Sequence, residues 1–133
     1  MSVKVSWYDE EKTIIVQEFP EVWTWDEFYD AVKRTVELEK EVSHPLYVVG
    51  TQPRNGQTPK GNVISQYNVA IRMHEDHMRY YLIATDNYLT SLLGNIFLKT
   101  TAMRDKVRMV NKFNDALNVI AQDKKKLEQA TSA

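Results

Sequence analysis

TIIVQEFPEVWTWDEFYDAV, residues 13–32, decides the fold class, because a strand pattern runs directly into a helix start. Residues 13–19 are mostly β-branched or aromatic, which is typical of a β-strand. Pro20 ends that strand, since proline cannot donate to a sheet ladder. From Trp25 onward, apolar side chains recur at helical spacing, so the sequence predicts an α-helix over residues 25–41.

The start of this helix is marked by the hexapeptide WTWDEF, residues 23–28. Thr24 and Glu27 have the spacing of a capping box, in which each side chain accepts a hydrogen bond from the other residue's backbone N–H. Trp23 and Phe28 occupy the N′ and N4 positions, where an apolar pair forms a hydrophobic staple. The hexapeptide therefore predicts a helix N-terminus.

Two other interpretations of the hexapeptide give it a function. Asp26 and Glu27 are candidate catalytic carboxylates, and the tryptophans are candidate walls of an aromatic ligand site. We favour the structural interpretation, because acidic residues in a first turn also stabilise the helix dipole. Trp25 shares helical spacing with Phe28 and Val32, a pattern that is more often a core stripe than a ligand site.

The rest of the chain continues the alternation of strands and helices. Val3, Val5 and Trp7 alternate with other residues, which predicts a first strand that pairs with residues 13–19 as an antiparallel hairpin. His44-Pro45 stops the first helix, because a residue before proline avoids the helical region. Further strands are predicted over residues 46–49, 80–84 and 107–110, and further helices over residues 63–75, from a cap at Asp86 or Asn87, and from a cap at Asn111.

This order, ββαβαβαβα, predicts an α/β fold with a five-stranded, mixed but mostly parallel sheet and four helices. The third helix carries an apolar stripe of Leu89, Leu92, Leu93, Ile96 and Phe97, and the fourth a stripe of Phe113, Ala116, Leu117 and Ile120. We expect one domain over residues 1–133, with its core over about 3–121. The last helix is expected to end near residues 124–126, within a C-terminal tail over residues 122–133.

Composition excludes several classes of function. Seventeen basic and eighteen acidic residues leave a formal charge of −1, so no overall field draws the chain to nucleic acid. The absence of cysteine excludes disulfides, thiolate nucleophiles and cysteine metal sites. The longest apolar runs are about five residues, far short of a membrane span. We therefore expect a cytoplasmic protein with no cofactor, no nucleic-acid partner and no membrane span.

Four stretches, TIIVQEFPEVWTWDEFYDAV, HPLYVV, MRYYLIAT and VRMVNKFNDAL, together with the order of elements, resemble the SpoIIAA-like or STAS fold. More narrowly, they are similar to the small stand-alone bacterial STAS/SEC14-like domains that begin with a strand hairpin and a TWDE helix start. The resemblance covers about residues 3–121. It implies a regulatory or protein-interaction module, and its SEC14-like part implies binding of a lipid or another apolar ligand.

The same resemblance implies a phosphorylation site, because anti-sigma factor antagonists of this fold are switched at a serine or threonine where the second helix begins. The nearest match is Thr58, in Thr58-Pro59-Lys60-Gly61, and Ser65 and Thr51 are further candidates. A phosphate at a helix N-terminus meets free N–H groups and the positive end of the dipole. Thr58-Pro59 equally fits a simple N-cap followed by proline at N1.

The long loop over residues 50–62, GTQPRNGQTPKGN, gives a second hypothesis. In open α/β sheets, ligands collect beyond the carboxyl ends of the strands, and a glycine-rich loop can present N–H groups to an anion. The loop lacks the spacing of either common phosphate fingerprint, so an ordinary surface loop is the alternative. The candidate anion-binding or ligand-binding residues are Arg54, Asn55, Gly56, Lys60, Gly61 and Asn62.

The segment His74-Glu75-Asp76-His77 contains residue types that bind metals. It lies where the second helix is expected to end and the chain turns toward the next strand. No H-E-x-x-H motif is present, so we predict a solvated polar connector and no metal site.

Two helix faces are candidate partner surfaces, because their uncharged side chains fall outside the predicted core stripes. These residues are Gln66, Val69 and Met73 on the second helix and Ser91, Gly94 and Leu98 on the third. With no residue assigned a catalytic role, we predict a non-enzymatic module that acts on a protein partner or forms a homodimer through these helices and the 50–62 loop. The alternatives are a carrier that holds a small apolar ligand between Trp25, Tyr29, Tyr67 and the sheet, and a small enzyme.

Overall fold

The computed structural model describes residues 3–87 and 106–132. One sheet contains five strands: β1 (Lys4–Trp7), β2 (Ile14–Glu18), β3 (Leu46–Thr51), β4 (Met78–Ala84) and β5 (Val107–Val110). Three helices lie in the described residues: α1 (Trp25–Glu39), α2 (Val63–Met73) and α3 (Phe113–Ser132). The α/β class is confirmed. The third predicted helix, with Ser91, Gly94 and Leu98, lies outside the described residues, and α3 corresponds to the fourth.

Each strand pairs with its neighbours in the chain, in the order β1-β2-β3-β4-β5. β1 and β2 are antiparallel and the other pairs are parallel, so the prediction of a mixed, mostly parallel sheet is confirmed. The ladder between β3 and β4 has one irregularity, because Leu46 lies opposite Met78 while Tyr47 lies opposite Tyr80. Arg79 is therefore the extra residue of a β-bulge, a feature that re-aims side chains.

The sheet lies between two helical layers. Side chains alternate between its faces, so β3 is buried on both, as its apolar run predicts. On one face, the sheet residues pack with Leu38 of α1 and with Ile64, Tyr67 and Ile71 of α2. On the other face, a cluster of Val16, Tyr47, Val49 and Leu82 packs with Ala116 and Ile120 of α3.

The N-terminus of α1 has the predicted structure. The Glu27 backbone N–H donates to Thr24 Oγ1 and the Thr24 backbone N–H donates to Glu27 Oε1, each at 3.1 Å. The rings of Trp23 and Phe28 lie 5.9 Å apart, and Trp23 is buried. The capping box and the staple are therefore confirmed.

α3 is longer than predicted. It runs to Ser132, so the predicted helix end near residues 124–126 is wrong. Asp123, in the predicted tail, is buried and accepts hydrogen bonds from Arg79 on β4. This anchor holds the C-terminal half of α3 on the sheet, which explains why the helix continues where the apolar stripe stops.

Gly50 allows a close contact in the middle of the sheet, and we expect Gly50→Ala to lower the free energy of unfolding by about 1 to 3 kcal/mol. A Cβ at this position would lie 2.8 Å from the Tyr81 hydroxyl oxygen. That hydroxyl donates to Gln17 Oε1 at 2.6 Å, so its displacement would also break a buried hydrogen bond. Urea denaturation measures the loss.

Tyr81→Phe provides the control for this prediction, because it removes the oxygen that a Cβ at Gly50 would meet. Gly50→Ala should cost less free energy of unfolding in the Tyr81→Phe background than in the parent. An equal cost in both backgrounds would show that the contact with the hydroxyl does not limit this position.

Candidate functional site

The 50–62 loop has a defined structure at the carboxyl ends of the parallel strands. The Gln57 backbone N–H donates to the Glu21 carbonyl at 2.7 Å, and the Gly56 N–H closes a turn on the Pro53 carbonyl at 2.9 Å. Asn87 Nδ2 donates to the carbonyls of Arg54 and Gly56, both at 2.9 Å. These contacts fix the loop to the rest of the protein through one backbone N–H, that of Gln57, and two carbonyl oxygens, those of Arg54 and Gly56.

The candidate anion-binding residues of this loop lie in different local environments. Arg54 is exposed and lies 3.9 Å from Asp86, and Asn55 is also exposed. The Lys60 carbonyl accepts the Trp25 indole N–H at 2.8 Å. Gly56 is part of the turn described above, and Gly61 has a φ of +125°, a conformation that favours glycine. The Asn62 side chain is the N-cap of α2.

The three candidate phosphorylation residues lie in different environments. Thr51 is the last residue of β3 and pairs with Glu18 and Ala84. Asn62 is the N-cap of α2, and its Oδ1 accepts the Ser65 backbone N–H at 3.0 Å. The interpretation of Thr58 as the N-cap is therefore wrong, because the helix starts later. Ser65 is exposed in the first turn of α2.

The candidate partner surface on α2 is only partly exposed. The Tyr29 hydroxyl donates to the Gln66 side chain, and Met73 packs against the aromatic cluster around Phe28. Val69, between them, is 47% exposed. Val69 is thus the residue of this surface that remains open to a partner.

The segment from His74 to His77 packs in part against the end of α1. The prediction of a solvated connector is confirmed for Asp76, which is exposed, and is wrong for the His74 side chain, which is 2% exposed. Glu39 Oε2 lies 2.5 Å from His74 Nδ1, and both side chains are buried. Glu39 Oε1 accepts the Glu75 backbone N–H at 2.9 Å, and the Glu39 carbonyl accepts His77 Nε2 at 2.8 Å. Within residues 3–87 and 106–132, no group of three acidic, histidine or cysteine side chains could hold a metal ion. We call Glu39, His74 and His77 the His–Glu junction.

The aromatic residues at the start of α1 pack against one another and against α2. The rings of Trp25 and Phe28 lie 5.4 Å apart, and that of Tyr67 lies 5.3 Å from Phe28. Burial raises the pKa of Tyr67 to about 12. The carrier hypothesis placed a ligand here, but side chains fill most of the space.

A small cavity of about 10 Å³ remains between Trp23, Tyr67 and β3. Trp23 Nε1 and Gln52 Nε2, which belong to residues that line this cavity, are buried and have no hydrogen-bond partner in the described part of the chain. Such a volume holds about one water molecule. The cavity is therefore too small for the apolar ligand that the carrier hypothesis requires.

A larger cleft, of about 650 Å³, opens at the amino ends of β2 and β3, beside the C-terminal half of α3. Sequence reasoning missed it, because it looked for ligands at the carboxyl ends and treated residues 122–133 as a tail. The sequence feature that indicates the cleft is the length of the last helical segment, which exceeds the length of the short strands that it covers. We call this the amino-end cleft; its lining residues are Glu11, Thr13, His44, Pro45, Tyr47, Lys124, Leu127 and Glu128.

Asp123 sits behind this cleft and connects α3 to two strands. Arg79 donates to both of its carboxylate oxygens, with Nε at 3.1 Å from Oδ2 and Nη2 at 2.9 Å from Oδ1. The Tyr47 hydroxyl donates to Oδ2 at 2.6 Å. Burial, with the hydrogen bond to this carboxylate, raises the pKa of Tyr47 above its ordinary range. We call Tyr47, Arg79 and Asp123 the α3 clasp.

Comparison with known proteins yields no relative of this chain. No protein-family model, no curated protein and no solved structure matches it. The STAS resemblance therefore stays a prediction, as do the functions that it implies. Among the described helices, none combines the length and the apolar character needed to cross a membrane.

Proposed function

We propose that the chain is a non-enzymatic regulatory module of STAS type that binds a protein partner or a second copy of itself through α2 and the 50–62 loop. The observation that carries this proposal is the exposure of Val69, an aliphatic residue that is 47% exposed on α2. Val22 is 62% exposed and forms a β-bridge with Gln57 of the loop. Exposed aliphatic residues associated with a polar loop are typical of a protein contact surface.

The structure of the loop supports the same proposal. Asn87 holds the carbonyls of Arg54 and Gly56, and Trp25 holds that of Lys60. A loop that is already ordered loses less conformational entropy when a partner binds. Arg54 is largely exposed and would supply charge at the edge of such a contact, where charge guides association.

Val69→Glu should reduce the bound fraction of the partner by about tenfold or more, because a carboxylate would be buried in an apolar contact. Native mass spectrometry of the protein isolated from its own host measures the bound protein subunit or second copy. Ala121→Glu is the matched control, since Ala121 is exposed on α3 in the opposite layer. If both variants retain the partner as the parent does, α2 is not the contact surface.

Phosphorylation is the proposed means of regulation, and Ser65 is better placed for it than Thr58. Ser65 is exposed in the first turn of α2, where a phosphate gains from the helix dipole, whereas Thr58 is half-buried and precedes the N-cap. In the same assay, Ser65→Glu should change partner binding and Ser65→Ala should not. Thr58→Glu serves as the comparison, and a change in partner binding with Thr58→Glu alone would assign the switch to the loop.

A carrier of a small ligand is the second candidate function. The amino-end cleft favours it, because ligand pockets commonly have volumes of about 300 to 1,000 Å³. This position differs from the predicted one between Trp25, Tyr29, Tyr67 and the sheet.

A further inference from the structure

The small cavity of about 10 Å³ lies where several elements of the fold meet. Trp23 precedes the N-cap of α1, Gln52 directly follows β3 and continues the 50–62 loop, and Tyr81 belongs to β4. Trp23 Nε1 and Gln52 Nε2 are buried donors with no hydrogen-bond partner in the described part of the chain. Because buried polar groups in native proteins are nearly always hydrogen-bonded, these two donors indicate an acceptor inside the cavity.

Both of these nitrogens can only donate a hydrogen bond. Trp23 is 4% exposed, so bulk solvent does not provide the acceptor that its indole N–H needs. The Gln52 amide packs against the turn of the loop, since a Cβ at Gly56 would lie 2.8 Å from Gln52 Nε2. The molecule that satisfies the two groups must therefore accept two hydrogen bonds.

Tyr81 supplies an acceptor for a molecule that also donates. The Thr35 hydroxyl donates to the Ala31 carbonyl at 2.8 Å, so it accepts from Gln17 Nε2, also at 2.8 Å. Gln17 Oε1 then accepts from the Tyr81 hydroxyl at 2.6 Å. Burial raises the pKa of Tyr81 well above its ordinary value of 10, so the phenol keeps this proton. Its oxygen still has a lone pair that can accept a hydrogen bond.

The charge and the size of the cavity restrict the molecule further. None of the described residues that line it carries a charge at pH 7. An anion would be buried without a countercharge, which costs far more free energy than burial of a neutral acceptor. A cation would meet the positive ends of two N–H dipoles. A volume of about 10 Å³ is that of a single water molecule.

We propose that this cavity binds one water molecule, which accepts hydrogen bonds from Trp23 Nε1 and Gln52 Nε2 and donates one to the Tyr81 hydroxyl oxygen. Three hydrogen bonds are typical of a buried water. The water continues the chain of buried hydrogen bonds that runs from Tyr81 to α1. It links the residue before the α1 cap and the start of the 50–62 loop to the centre of the sheet. The inference concerns the interior and does not depend on the proposed partner surface.

A high-resolution crystal structure of the whole chain tests the site. The electron density should show one peak within hydrogen-bond distance, about 2.7 to 3.2 Å, of Trp23 Nε1, Gln52 Nε2 and the Tyr81 hydroxyl oxygen. Crystals grown in sodium bromide distinguish water from an anion, because bromide scatters anomalously. The site should give no anomalous peak, and a bromide peak there would assign it to a halide instead.

A double variant removes two of the three partners. Gln52→Met/Tyr81→Phe leaves only the Trp23 N–H, and a buried water normally needs two to four polar partners, so the peak should be lost. Gln57→Met/Tyr81→Phe is the matched control. Gln57 is exposed in the same loop, so this variant keeps both N–H donors and should keep the water.

Three further outcomes would overturn the proposal. The first is a parent map without a peak in the cavity. The second is a direct hydrogen bond from the Trp23 indole N–H to the Gln52 side-chain oxygen, which would satisfy the indole without water. The third is a peak that persists in Gln52→Met/Tyr81→Phe. The first two outcomes are observed in the parent protein, so the test does not require that either variant folds.

Discussion

Glu39→Ala should lower the free energy of unfolding by about 3 to 5 kcal/mol, because removal of one member of a buried charged or hydrogen-bonded pair leaves its partner without compensation. Glu39 is fully buried, and its two carboxylate oxygens contact the His74 ring and the Glu75 backbone N–H. Alanine would leave both groups without an acceptor and open a space between α1 and α2. Urea denaturation at pH 7 measures the change.

Glu37→Ala is the matched control for the His–Glu junction. It removes the same side chain two positions earlier on α1, where the residue is exposed, and should change stability by less than about 0.5 kcal/mol. Glu39→Gln should fall between the two, because an amide oxygen can still accept the Glu75 N–H, while the amide nitrogen cannot accept a hydrogen bond from the His74 ring. If Glu39→Ala and Glu37→Ala cost the same, the junction does not hold the helices together.

Asp123→Asn should lower the free energy of unfolding at pH 7 by about 1.5 to 3 kcal/mol, because it discharges the acceptor of a bidentate arginine pair. The Asp123 side chain is 4% exposed and that of Arg79 is 39% exposed, so solvent screens the pair only from the arginine side. Asp30→Asn is the control: Asp30 pairs with Arg34 at 2.9 Å, but its side chain is 62% exposed. An exposed pair of this type contributes about 0.3 to 0.5 kcal/mol.

The effect of Asp123→Asn should depend on pH. Burial is the largest single influence and opposes ionisation, but hydrogen bonds from Arg79 and Tyr47 outweigh it and hold the pKa of Asp123 below its ordinary value of 3.8. Because the pKa is lower in the folded state, the carboxylate stabilises the fold fully above about pH 4. That contribution is lost as the pH falls through the folded-state pKa.

Unfolding free energies measured across the acid range test this sign. The parent should lose stability more steeply than Asp123→Asn as the pH falls below about 4, and the two curves should converge. Parallel curves would mean that the ionised form of Asp123 gives no stability, and the α3 clasp would then act through packing alone.

The parts of the fold that could be predicted are those that short stretches of sequence determine. Thr24 and Glu27 are three residues apart, so the capping box needs no knowledge of the rest of the chain. The alternation of apolar strands and helical stripes likewise predicts the sheet and its mainly parallel pairing. The α/β class follows from these local patterns.

The two buried carboxylates were missed because their partners are far away in sequence. Glu39 meets His74 across 35 residues, and Asp123 meets Arg79 across 44. A charged residue in a helix is normally taken as exposed. Yet Glu39 continues the buried stripe of Phe28, Val32 and Thr35, and Asp123 continues the buried stripe of Ala116 and Ile120. A carboxylate that follows the helical spacing of a buried stripe is therefore the sequence feature that predicts a buried acidic residue.

The candidate sites were predicted less well than the fold for a related reason. Composition located the 50–62 loop, but whether its N–H groups or its carbonyls face a ligand depends on Asn87 and Trp25, which are distant in sequence. The amino-end cleft depends on where α3 ends relative to the strands. Neither the distant hydrogen-bond partners of the loop nor the position of the α3 C-terminus relative to the strands is encoded in a short motif.

The β-bulge at Arg79 makes the last helix selective for one strand alignment. A one-residue slip of β3 would turn Tyr47 toward the opposite face of the sheet, and its hydroxyl would lose Asp123. If β4 lacked the extra residue, Arg79, it could still pair with β3, but no guanidinium would donate to Asp123. α3 can therefore make these hydrogen bonds only when β3 and β4, which lie far from it in sequence, pair in the observed register. Packing of the C-terminal helix thus stabilises the correct strand register over shifted ones.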